Sequence, residues 1–421
     1  MPTGRADRRA RHRILSALLL PVLLVLLLAG CGDDPPDTPS DPEAGIAEGI
    51  QHTLRQRARA IVARDPAAFQ RTLAQRDHGF VAEQTRYYEN LRQLPLGTVR
   101  YQVAEQSIQP DGNGYWAEVT IRLELEGYDV APVVTRDRWR FAPTSDQRRL
   151  LLTSTTDRSR EGADAGFDPQ PWDLGEIEVR EGAGVLGIFD SSTVLRAGAV
   201  LESVSEARFE VRATLPAGIE DPGGVIVYVL SDPAYVESLD DLPVSNPDLI
   251  DGVTVPVPRN PADAGGPVSS YRIVLSPDVL DESDAVLDRL VRHELTHVAM
   301  GDQARAVPLW LAEGLAEYVS VRPIAPAERR LQPEGLDLAA AGVADVPSDS
   351  EFGGDQVEGW YAVSWWICEY VAATYGEAAL WVLLDGLATG EDQQAVVSDQ
   401  LGITTSELVQ AGIDLMRRTY G

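Results

Sequence analysis

The chain has 421 residues, enough for two or three domains, and its 44% hydrophobic and 24% charged residues are ordinary for a core-forming protein. It carries 65 acidic against 36 basic residues, for a net charge of −29, and every basic residue is Arg. A surface this acidic repels nucleic acid and anionic lipid, which excludes DNA or RNA binding and polybasic membrane attachment and otherwise serves solubility.

The first 31 residues read as a targeting signal. Arg5, Arg8, Arg9, Arg11 and Arg13 precede an apolar run over 14–28 that contains Pro21. That run is short of the ~20 apolar residues that span a bilayer. It ends in Leu28-Ala29-Gly30-Cys31. Small residues directly before a Cys resemble a bacterial lipobox. The resemblance implies cleavage before Cys31, lipidation of Cys31, and attachment to the extracytoplasmic face of the cell membrane. The alternative is an uncleaved anchor helix. With Cys31 lipidated, Cys368 is left without a disulfide partner, and its apolar, Trp-rich surroundings mark it as a small buried hydrophobe.

Residues 32–44 are acidic and Pro-rich (DDPPDTPSDPE) and read as a disordered tether. From 46 to 94 the pattern is helical. Ile50, Leu54, Ala58 and Ile61 recur every three or four residues, followed by Phe69, Leu73, Phe80 and Leu91. The period then changes to two, with strands expected at 99–107, 115–125, 133–141 and 150–155. Asp111-Gly112-Asn113-Gly114 is a hairpin turn signal. Helices followed by an antiparallel curled sheet resemble the nuclear transport factor 2-like, or SnoaL-like, α+β cone over 45–157. That layout implies a hollow able to hold a small ligand or a protein partner. His52 and His78 read as surface residues.

Residues 158–171 are polar with Gly and Pro and read as a linker. A second region, 172–421, starts with short apolar strands expected at 177–179, 184–189, 224–230 and 272–275, and a helix at 192–211. Residues 231–266 are rich in Pro and Asp and read as loop. Beyond Pro277 the pattern is almost wholly helical. The expected fold class is α+β: a cone, then a mixed-sheet region followed by helices.

The chemistry lies in His293-Glu294-Leu295-Thr296-His297, an HExxH motif on an apolar helical stripe of Val286, Leu287, Leu290, Val291, Leu295 and Val298, with Gly301 placed to stop the helix. Residues i and i+4 share a helix face, so both imidazoles reach one metal ion. Glu294 lies one residue round the helix, where it can meet a water without ligating the metal. A tetrahedral zinc site with an open position needs a third protein ligand. No His follows His297, so a downstream third ligand is a carboxylate. A second helix between Pro308 and Pro323 offers Glu313 and Glu317.

HExxH followed by W-L-x-E-G-x-A-x-Y (Trp310-Leu-Ala-Glu313-Gly314-Leu-Ala316-Glu317-Tyr318) resembles the gluzincin metallopeptidases, in particular the bacterial peptidase MA-like domains. The resemblance covers 172–421. It implies one Zn²⁺ per chain on His293, His297 and Glu313, Glu294 as general base, and a peptide or protein substrate. It also implies an oxyanion donor that, without a downstream His, is a Tyr. Tyr361 holds the family position; the alternative is a core aromatic. Glu317 lies four residues after Glu313 and can accept the second N–H of a ligand His, or can be a solvated surface Glu. By fold analogy an extended substrate lies along an edge strand, with 272–275 the candidate. Two other readings stay open: a degenerate peptidase fold acting as a binding module through its cone, and a zinc hydrolase of a non-peptide amide.

Overall fold

The computed structural model describes residues 42–156, 169–216, 219, 223–239, 251–260 and 266–421. The leader, Cys31, most of the tether and most of the linker lie outside the described residues.

Three helices open the described chain: α1 (Pro42–Val62), α2 (Pro66–Gln70) and α3 (His78–Gln93). The helical stripe buries Ile50, Leu54 and Ile61 on α1, and Phe80 and Leu91 on α3. Asp65 and Asp77 cap the second and third helices by accepting backbone N–H groups, which explains the breaks between them. Strands β1 (Leu96–Val103), β2 (Gln109–Asp111), β3 (Gly114–Leu125), β4 (Val133–Pro143) and β5 (Leu150–Ser154) follow. They form a curled antiparallel sheet in the order β1-β3-β4-β5, with β2 paired to β3 across the expected turn. At that turn Gly112 takes a φ of +58°, which Gly reaches without strain. The first strand stops at Val103, before the expected 107, because Glu105–Ser107 forms a turn of 3₁₀ helix.

Buried side chains line the inner face of this sheet. Arg57 is 1% exposed, and its guanidinium lies over Phe69 at 4.3 Å and Tyr87 at 5.1 Å. A cavity of about 30 Å³ remains beside Tyr87, Trp172 and Asp173. His52 and His78 are on the surface, as expected.

The second region starts with α4 (Pro171–Leu174), β6 (Glu178–Gly182), β7 (Val185–Phe189), α5 (Ala197–Thr214), β8 (Val225–Val229), α6 (Ala234–Glu237), β9 (Gly252–Pro258) and β10 (Val268–Leu275). The sheet order is β6-β7-β8-β10-β9. The inner three strands are parallel and the outer two antiparallel. Two sequence expectations are corrected here. Residues 272–275 are not an edge, because β10 lies between β8 and β9. The edge is β9, inside the stretch read as loop.

Every residue of β7 and β8 is buried, so both faces of this sheet are covered. Val185, Phe189, Val225, Val227, Val229 and Ile273 pack toward the helices of the second region. The alternate residues Leu186, Ile188, Ile226, Tyr228 and Val274 pack toward the curled sheet and its helices. The first region is thus the second cover of the mixed sheet, and residues 43–421 form one compact unit. A buried ion pair joins the two: Arg272 Nη2 meets Asp129 Oδ1 at 2.7 Å, with side chains 1% and 0% exposed. Asn90 adds a polar stitch, donating to the carbonyls of Trp172 and Gly175 and accepting from Ile177 N.

The rest is helical: α7 (Asp284–Met300), α8 (Asp302–Ala306), α9 (Leu309–Ser320), α10 (Pro333–Ala341), α11 (Val357–Tyr375), α12 (Glu377–Leu387), α13 (Gln393–Leu401) and α14 (Thr405–Tyr420). Cys368 is fully buried on α11 and burial pushes its thiol up, so it is the core hydrophobe expected. The whole is α+β.

Candidate metal centre

Helix α7 buries Leu287, Val291, Leu295 and Val298, leaves Val286 of the expected stripe exposed, and turns His293 and His297 to its other side. Gly301 ends the helix with φ +59°, its N–H bonded to the His297 carbonyl at 3.0 Å. Pro308 stands at the N-cap of α9, and Leu309 N donates to Asp349 Oδ1 at 2.9 Å. Gly314 explains why α9 comes so close to α11. A Cβ there would stand 2.6 Å from the Ser364 carbonyl oxygen and 2.9 Å from Cys368 Sγ. The residue beside it, Glu313, is brought to the two histidines.

Three donor atoms converge. Nε2 of His293 lies 3.1 Å from Glu313 Oε2, Nε2 of His297 lies 3.2 Å from the same oxygen, and the two nitrogens are 3.2 Å apart. All three residues are buried or half-buried, and the triad can hold a metal ion. The structure thus brings together the ligand set that the resemblance implied.

The neighbouring groups define the site further. Nδ1 of His293 donates to Glu317 Oε1 at 3.2 Å, and the other oxygen of Glu317 takes Arg289 Nη2 at 2.5 Å. Glu317 is therefore tied to the site and not a solvated surface residue. Arg289 lies over Trp365, at 5.7 Å. Glu294 is 3% exposed, and its Oε2 accepts the Thr254 hydroxyl of β9 at 2.8 Å. Tyr361 stands beside His293 with ring centroids 6.2 Å apart, packed edge-on, and touches Phe352 in the same way. Arg289 and Thr254 are the two residues that sequence reasoning missed. Arg289 is four residues before His293, so the helical period held its signal. Nothing local marks Thr254.

The electrostatics agree with this arrangement. Burial alone would raise the Glu313 carboxyl, but His297 beside it and hydrogen bonds from both histidines hold it well below the usual range. Glu317 is held at about 2: burial opposes ionisation, while His293 and Arg289 favour it more. His293 loses basicity by burial and regains more from its bonds to Glu313 and Glu317, so its net shift is upward. Glu313, burial, Glu294 and Glu317 together push the Tyr361 phenol far up, so it stays a donor near neutrality.

No protein-family model matches the chain, and no curated protein matches it in sequence.

Proposed function

We propose that the chain is a zinc-dependent peptidase of the gluzincin type, held by a lipid on Cys31 at the extracytoplasmic face of the cell membrane. The observation that carries the catalytic part is the triangle of donor atoms, with edges of 3.1 to 3.2 Å. Ligands ~2.0–2.1 Å from one tetrahedral zinc stand about 3.3–3.4 Å apart. Two neutral imidazoles and a carboxylate are also the donors zinc takes. The donor set therefore fits.

When bound, zinc supplies a Lewis acid that acidifies water and polarises a carbonyl. The other roles belong to the chain. Glu294 takes the proton of the attacking water on a carboxylate oxygen and later returns it to the leaving amine. The Thr254 hydroxyl orients that carboxylate. Glu317 holds the proton of His293 on Nδ1, which leaves Nε2 free to ligate. The Tyr361 hydroxyl donates to the substrate oxygen as charge builds there. An extended substrate adds along β9, the edge strand that carries Thr254.

Metal analysis tests the ligand set. The purified chain is expected to carry about one zinc, and Glu313→Ala to lose most of it while keeping its fold by circular dichroism. Full zinc occupancy in Glu313→Ala would remove this residue from the ligand set and point to Glu317 instead.

A further inference from the structure

A groove of about 760 Å³ runs between α1 and the edge strand β1. Four arginines line it: Arg55 and Arg59 one helical turn apart on α1, and Arg100 and Arg122 directly opposite each other on β1 and β3. Like charges at both spacings destabilise the fold. Among the described residues the side chains of Arg55, Arg59 and Arg100 have no hydrogen bond or ion pair, and that of Arg122 bonds Gln102 alone. Glu48 and Glu105 also line the groove, which leaves the cations in excess. This reverses the sign of a chain whose net charge is −29.

The groove also has backbone to offer. Gln51 bonds the Tyr101 carbonyl at 2.9 Å and the Val103 N–H at 3.0 Å. Residues 101 and 103 thus turn their backbone groups to the open edge. By the two-residue period Val99 does the same, and among the described residues no side chain bonds its backbone groups. An open strand edge is a template for strand addition.

We propose that this groove docks an extended acidic peptide as an added strand, paired to Val99. Side chains of an added strand alternate between its faces. The groove meets them with arginines from the helix wall and from the sheet. Guanidinium groups bind carboxylates as paired donors, which favours Arg over a point charge. The overall negative charge does not prevent this, because charges beyond about 8 Å are screened at physiological ionic strength. The site is independent of the metal centre and of the peptidase reading.

The test is fluorescence anisotropy with the full chain carrying Glu294→Gln, so that no peptide is consumed. The probe is a labelled oligo-glutamate of about twelve residues, long enough to span one strand. Controls are an oligo-glutamine of equal length and an oligo-glutamate N-methylated at alternate residues. The unmodified acidic peptide is expected to bind. Arg55→Ala with Arg59→Ala, and separately Arg100→Ala with Arg122→Ala, should each weaken it ~10-fold or more, with unchanged thermal unfolding. N-methylation should weaken it ~10-fold or more as well. Binding unchanged by N-methylation would mean a charge-only surface and overturn strand addition. Binding unchanged in both arginine pairs, or equal binding of oligo-glutamine, would overturn the site.

Discussion

Glu294→Gln is expected to abolish peptide hydrolysis while the metal and the fold stay in place. Gln keeps the size of Glu and still accepts the Thr254 hydroxyl bond seen at 2.8 Å. It cannot take a proton from water. General base catalysis contributes ~10²–10⁴-fold, so the rate on any cleaved peptide should fall by at least that order. The triangle of donor atoms is made by His293, His297 and Glu313 without Glu294, so zinc content should not change. Single-turnover assays of the two zinc-loaded proteins measure this. A rate within a few-fold of wild type would assign the base to another group.

Asp129→Ala is expected to cost stability more than any surface change. It leaves Arg272 of β10 charged and 1% exposed, with the Tyr228 and Ser270 hydroxyls as its remaining side-chain partners among the described residues. Breaking a buried pair in this way costs ~3–5 kcal/mol, measurable by urea unfolding. Replacing both partners by apolar residues should recover much of the loss. The same experiment tests the shared core. Far-ultraviolet signal and the fluorescence of Trp139 in the curled sheet should be lost in one transition. Two separate transitions would mean that the regions fold independently.

Much of the site was legible because it is local. HExxH puts two imidazoles on one helix face, and Glu313 and Glu317 repeat that logic one helix later. The structure adds the 3.1 and 3.2 Å contacts that tie them together. The curled sheet was legible from its period-two pattern and one turn. What stayed hidden depends on partners far along the chain. In β9 the run Val255-Pro256-Val257-Pro258 looks like loop, because proline removes ladder donors. Only at a sheet edge, where an N–H is not needed, does it read as strand. Thr254 went unseen with it. The apolar run of β10 carried the opposite signal: continuous hydrophobicity belongs to an inner strand, and the edge expectation missed that. The Asp129–Arg272 pair joins residues 143 positions apart, and no periodicity reports such a contact. Likewise, β7 and β8 signalled two covered faces without saying that the first region supplies one.

Hydrolysis of a mixed peptide library by the zinc-loaded full chain tests the central claim most directly. Cleavage should occur, stop when a chelator strips the metal, and resume when zinc is restored. A chain that binds zinc at His293, His297 and Glu313 yet cleaves no peptide before or after reloading would contradict the peptidase reading.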